Sequence, residues 1–161
     1  MIHDSLDEMK AALPRHRRLL GLDVGSKTVG LALSDVLLTI ATPMETLRRT
    51  KFGRDAEALI RLIREHEVGG LVLGLPISMD GSEGPRCQST RQFAANLQGA
   101  FDNAGLGDLG LAFWDERLST AAVERLLVDE VDMTRRRRAE VVDKMAAAYI
   151  LQGALDAMAR G

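Results

Sequence analysis

The chain has 161 residues, 46% hydrophobic and 27% charged, with a formal net charge of −2. That suffices for one domain with a substantial core; it excludes an indiscriminate polycation but leaves room for charge gathered on one face. The single cysteine, Cys87, can form neither an internal disulfide nor a thiolate metal site. No run approaches the roughly 20 apolar residues of a membrane span, and residues 1–10 lack the apolar core of a signal peptide. The expected compartment is the cytoplasm.

Leu6, Met9 and Leu13 are at helical spacing, which predicts a short helix within residues 4–13, ended by Pro14. Residues 1–17 are expected to be an N-terminal appendage to a main domain, 18–161. Two apolar runs, 19–24 and 29–33, flank Gly25-Ser26-Lys27 and predict a β-hairpin. Residues 40–47 read as a third strand, placed at an edge by Pro43, and run into Arg48, Arg49 and Lys51. Residues 54–67 form an amphipathic pattern with Ala56, Leu59, Ile60 and Ile63 on one face, stopped by Gly69-Gly70. The short apolar run 71–73 suits the centre of a sheet.

A loop over 74–84 leads to a helix with Pro85 near its first turn and Cys87, Thr90, Ala94, Leu97 and Phe101 as its inward stripe. Cys87 is thus a small core residue. Residues 109–114 form the last strand. A helix over 119–130 capped by Ser119, a basic break at 135–138, and a helix from about 139 to 158 complete the chain. Three strands followed by alternating helices and strands predict an α/β fold with a mixed sheet and helical crossovers.

Asp23 stands inside an apolar strand, where a charge is unfavourable unless donors or a cation compensate it. Either it caps the following turn or it binds a metal. Period-2 alternation puts Gly21 and Asp23 on one face, with Gly30 and Ala32 as the small face of the next strand. In the last strand Ala112, Trp114 and Glu116 share a face and Asp115 takes the other. In the final helix Asp143, Ala146, Ala147, Ile150 and Ala154 form one small apolar face with a single acid. Asp143 either interacts with the helix dipole or, if that face packs on the small side of the sheet, approaches Asp23 and Glu116. Three such carboxylates repel one another, and oxygen-only ligands suit magnesium or manganese. In that reading Asp115 is a supporting acid.

Four ordered motifs carry a family resemblance: 21–25 (GLDVG), 74–76 with 80–84 (GLP…DGSEG), 115–120 (DERLST) and 143–147 (DKMAA). Over about residues 18–155 the chain resembles the YqgF-type family, described as Holliday-junction-resolvase-like and as pre-16S rRNA nucleases. The resemblance implies an RNase H-like fold with a mixed five-stranded sheet and helices on both faces. It implies a metal-dependent nuclease using Mg2+ or Mn2+ that matures the 5′ end of 16S rRNA. Asp23, Glu116 and Asp143 are then the catalytic metal ligands, and Lys27, Arg117 and Ser119 are candidate substrate-binding residues. Many members carry arginine where this chain has Thr28; Lys27 beside it offers a point charge but no bidentate fork.

The expected partner is nucleic acid, either precursor rRNA, alone or in ribosomal particles, or branched DNA. No membrane role is expected. Arg48, Arg49, Lys51 and residues 135–138 either track a phosphate backbone or are solvated surface. The loop 74–84 and the start of the helix after it suit a phosphate. Two other classes compete: an actin-like ATPase, which needs a second related domain although the hairpin is not repeated, and a non-catalytic ribosome-assembly factor.

Overall fold

The computed structural model describes residues 1–118 and 135–160, with side chains for all of these except 135–141. The sheet comprises β1 (Arg18–Val24), β2 (Thr28–Ser34), β3 (Ala41–Arg48), β4 (Val68–Leu75) and β5 (Gly110–Asp115). Its order is β3-β2-β1-β4-β5. The first three strands are an antiparallel meander; β4 and β5 run parallel to β1. The helices are α1 (Leu6–Ala12), α2 (Phe52–Glu65), α3 (Pro85–Asn103) and α4 (Arg135–Arg160). No described helix is long and apolar enough to cross a membrane.

Alternation along the strands splits the core into two layers. On one side Leu20, Leu22, Leu31, Leu71, Leu73 and Leu111 meet α2 and α3 through Leu59, Ile63, Phe93, Leu97 and Phe101. On the other, Leu19, Ala32, Val72, Ala112 and Trp114 meet Ala147, Ile150, Leu151, Ala154 and Leu155 of α4, with Met9 of α1. The stripe expected for α3 is buried throughout, Cys87 included. Burial pushes the Cys87 thiol above its ordinary pKa, which leaves it an inert core residue.

The α4 layer sits unusually close to the sheet because the sheet presents glycine there. A Cβ on Gly21 would lie 2.7 Å from Leu151 Cβ and 3.0 Å from the Ala147 carbonyl. A Cβ on Gly30 would fall onto the Asp143 carbonyl. Conversely, Gly153 of α4 admits the Trp114 ring, whose Cε2 would be 3.0 Å from an added Cβ.

Three expectations change. Gly69 and Gly70 do not end a helix; they lie inside β4. An added Cβ at Gly69 would collide with Leu13 and Arg17, and one at Gly70 would crowd Leu19, so these glycines let the segment before β1 pass close to β4. Helix α2 has already ended at Glu65, before Glu67 takes a positive φ of 53°. Gly74 and Leu75 belong to β4, where they pair with Trp114 and Asp115, so the loop begins at Pro76. Residues 135–138 are helical and form the first described turn of α4, not a break before it. The helix expected over 119–130 lies outside the described residues.

Residues 1–17, expected as an appendage, pack on the body of the protein. Ser5 caps α1 by accepting from the Glu8 amide, and Met9 is buried beneath α4. The backbone of residues 1–3 pairs with Leu111 on the outer edge of β5.

Two glycine substitutions separate close approach from helix propensity. Gly30→Ala is expected to lower unfolding stability by about 3 kcal/mol, because backbone on both sides must move. Gly99→Ala, exposed within α3 with nothing within 4 Å of the added carbon, is expected to raise it by about 1 kcal/mol. Urea unfolding of both variants checks the pair.

Candidate active site

The site lies at the carboxyl ends of β1, β4 and β5, the edge where open α/β sheets gather their ligands. Asp23, the next-to-last residue of β1, is 8% exposed and pairs across the hairpin with Gly30. Directly over Gly30 runs the α4 backbone at Asp143. Asp23 and Asp143 thus reach the same patch from two elements. One strand further on, Leu22 pairs with Leu73 in parallel register, which sets Gly74 beside Asp23. Glu116 opens a single 3-10 turn, Glu116–Leu118, at the end of β5. Its Cγ would be 3.1 Å from a Cβ on Gly74. The three acids therefore occupy one end of one sheet face, over two glycines. A side chain on Gly30 would strike the Asp143 carbonyl, and one on Gly74 would meet Ile150 Cδ1 at 2.5 Å, so either would push α4 away.

The Thr28 hydroxyl donates to Asp143 Oδ2 at 2.5 Å. This bond joins the start of β2 to α4. Among the described residues, no three Asp, Glu, His or Cys side chains stand close enough together to hold a metal ion as arranged. The trio is brought to one place but not closed into a ligand set. Its chemistry still fits a hard divalent cation, since every donor is a carboxylate oxygen.

Asp115 faces away from the trio, as alternation required. Arg117 grips it with Nη2 at 2.6 Å and Nε at 3.0 Å, and the Arg117 amide donates to Asp115 Oδ1 at 3.0 Å. The guanidinium holds the Asp115 carboxyl below its ordinary range. Arg117 Nη1 also lies 3.4 Å from the Ser78 carbonyl. As placed, Arg117 ties the Glu116 turn to the loop after β4. Lys27 is exposed in the hairpin turn, and its carbonyl accepts from the Arg49 amide at 2.9 Å. Ser119 lies outside the described residues. Gly84 begins α3 with no side-chain cap, and there is no acid in the first turn.

A family model described as RuvX, Holliday junction resolvase, matches residues 17–157. The chain belongs to the RuvX family. A relative from Paramagnetospirillum magneticum is 66% identical over 149 residues, covering 92% of each chain, and one from a Jannaschia species is 60% identical over 156 residues, covering 97% of this chain and 95% of its own. Both carry the name "Putative pre-16S rRNA nuclease". The RuvX chain also superposes on Thermus thermophilus RuvC in complex with a Holliday junction substrate, with a TM-score of 0.55 and 16% identity, over 88% of this chain and 95% of the other. The yeast mitochondrial resolvase Ydc2 gives 0.53 and 14%, over 96% and 85%. Those likenesses show the RNase H-like fold of the RuvC type.

The residue pattern of this RuvX chain places Asp23, Glu116 and Asp143 at one sheet end but does not single out the Thr28 contact. Thr28 stood out only as a departure from a family pattern. Its spacing to Gly30 does carry a signal: both residues are on the strand face that meets α4.

Thr28→Val removes the donor to a half-buried carboxylate, and a loss of about 1 kcal/mol of stability is expected, restored by Thr28→Ser; thermal melts of the two variants decide it. In the folded chain Asp115 titrates below its unfolded value near 3.9. Its pairing therefore stabilises the protein above that pH, and the gain is lost as the pH falls through the folded midpoint. Arg117→Gln is expected to raise the Asp115 midpoint and move acid unfolding to higher pH, read by carboxyl-carbon NMR titration.

Proposed function

We propose that this chain is a nuclease that hydrolyses phosphodiester bonds in precursor 16S rRNA, with Asp23, Glu116 and Asp143 as its acidic centre. The observation that carries the chemistry is the placing of three acids from β1, the turn after β5, and α4 at one sheet end over Gly30 and Gly74. The substrate reading rests on the shared name of the relatives.

Asp23, Glu116 and Asp143 would hold a divalent cation, Mg2+ or Mn2+. When bound, such an ion lowers the pKa of water and offsets the charge that develops on phosphate oxygens. The protein contributes placement. Asp23 is fixed by a strand paired on both sides, so its carboxylate loses little freedom on meeting substrate. Glycine at positions 30 and 74 lets α4 lie close on the sheet, which brings Asp143 toward the strand ends that carry Asp23 and Glu116. Lys27, exposed in the hairpin turn, would meet a non-bridging oxygen as a point charge. At the start of α3 Pro85 has no amide hydrogen and the Cys87 and Gln88 amides donate to the Gly84 carbonyl, so the Arg86 amide is the backbone donor offered to a neighbouring phosphate. Arg117 holds Asp115 and the loop after β4, which keeps the Glu116 turn in register. We place this reaction in the cytoplasm, where precursor rRNA and assembling ribosomal particles meet.

A second reading, cleavage of branched DNA, is favoured by the family description and by the RuvC likeness. Side-by-side assays on precursor 16S RNA and a four-way DNA junction separate the two. In both, Asp23→Asn is expected to reduce cleavage roughly 100-fold or more while the fold is kept. Chelator is expected to abolish activity, and Mg2+ or Mn2+ to restore it. Cleavage by Asp23→Asn at the parental rate removes the proposed centre. Normal precursor processing in cells carrying that variant favours a non-catalytic assembly role.

A further inference from the structure

Few large apolar side chains are exposed among the described residues, and they fall into separate groups. Val36, Leu37 and Ile40 sit at the β2–β3 turn, at the sheet end away from the acids. Met1 and Ile2 lie beside the edge of β5, and two side chains are exposed at the acidic end: Leu118, 67% exposed, in the Glu116 turn, and Met79, 89% exposed, on the loop after β4. A lone exposed methionine is ordinary on a protein surface. Three observations set Met79 apart.

The first is that the loop is built to hold it out. The Ser78 amide donates to the Ser82 carbonyl at 3.0 Å, and the Gly81 amide donates to the Ser78 carbonyl at 2.8 Å. Asp80 Oδ1 accepts from both the Ser82 amide and the Ser82 hydroxyl, at 2.9 and 2.6 Å. Gly81 takes a φ of 88°, which closes the turn at little steric cost. Met79 lies inside this bonded turn, not on a slack segment.

The second is position. Arg117 Nη1 approaches the Ser78 carbonyl, and a Cβ on Gly81 would be 3.8 Å from the same nitrogen. Arg117 directly follows Glu116, so the turn bearing Met79 is braced against the turn bearing the acid.

The third is composition. The chain has four Phe, one Trp and one Tyr, and none of the six is exposed. Arg49 covers Phe93 and Arg91 covers Phe113, each 5.0 Å from the ring centroid. Phe52, Phe113 and Tyr149 are only partly exposed, so no aromatic ring stands out from the surface as a stacking platform. Met79 is an unbranched, polarisable side chain suited to lie against a base or to wedge into a base step.

We propose that Met79 contacts a nucleobase next to the scissile phosphodiester and holds an unstacked nucleotide at the edge of a duplex. The site then selects junctions between paired and unpaired nucleic acid. The inference rests on the nuclease reading above and adds the substrate feature that the site recognises.

The test uses the full chain and an RNA duplex with a single-stranded 5′ extension, carrying 2-aminopurine at the first unpaired nucleotide. Binding is followed in an Asp23→Asn background and cleavage with Asp23 intact. The Met79 chain is expected to raise 2-aminopurine fluorescence on binding. Met79→Ala is expected to lose most of that rise and to cut the extended duplex about tenfold more slowly at subsaturating substrate. Met79→Leu is expected to retain both properties. Met79→Ala and Leu37→Ala are expected to melt at the parental temperature, and Leu37→Ala to cleave at the parental rate.

Equal fluorescence and cleavage in Met79→Ala and the parent overturn the base contact while leaving the nuclease reading in place. So does an equal fall in Leu37→Ala. A Met79-dependent fluorescence rise in a chain that cuts nothing with Asp23 intact supports the base contact and removes the nuclease reading instead.

Discussion

The Asp143 carbonyl resting on Gly30 sets how near α4 comes to the sheet. Because Gly30 pairs with Asp23, that one backbone contact also fixes where two of the three acids stand relative to each other. Packing and chemistry cannot be varied separately here. A larger residue at position 30 lifts the helix, and lifting the helix carries Asp143 away. Burial of Ile150, Leu151, Ala154 and Leu155 against the sheet supplies the apolar free energy that keeps the helix down. The Thr28 hydroxyl then fixes the acidic end of the helix to β2.

Much of this arrangement was legible in the chain because it rests on two simple periods. Alternation of two put Gly21, Asp23, Gly30 and Ala32 on one side of the hairpin, and Glu116 opposite in sense to Asp115. Helical spacing put Asp143 in line with Ala146, Ala147, Ile150 and Ala154. All of those faces are as the pattern required. What escaped the pattern were glycines and single hydroxyls. Gly69 and Gly70 look like a helix stop, but their purpose is to let Leu13, Arg17 and Leu19 pass close by, a contact between segments over fifty residues apart. Gly74 looks like the start of a loop, yet it completes a parallel ladder. Nothing local distinguishes a glycine that ends an element from one that another element crosses. The Thr28–Asp143 bond spans 115 positions and leaves no periodic trace.

The loop after β4 shows how local hydrogen bonding extends an acidic site beyond its acids. Asp80 orders its turn through Ser82, whose hydroxyl holds the Asp80 carboxyl below its ordinary pKa. Glu83 meets Arg91 of α3 at 2.7 Å. Arg117 then bridges the loop to Asp115. The Asp80–Ser82 and Glu83–Arg91 pairs are exposed and contribute little to global stability. Their effect is on direction: they determine which way the loop faces, at the edge where three strands end.

The margins of the sheet have a different consequence. On β5, the backbone of residues 1–3 already occupies the Leu111 amide and carbonyl. On β3, Pro43 offers no amide hydrogen, and the Ala41 amide is taken by Gln152 Oε1 at 2.9 Å. An unguarded edge strand is a template for a stranger's backbone. Here each rim is partly occupied by the chain's own atoms, which shortens the run of backbone a second copy could pair with.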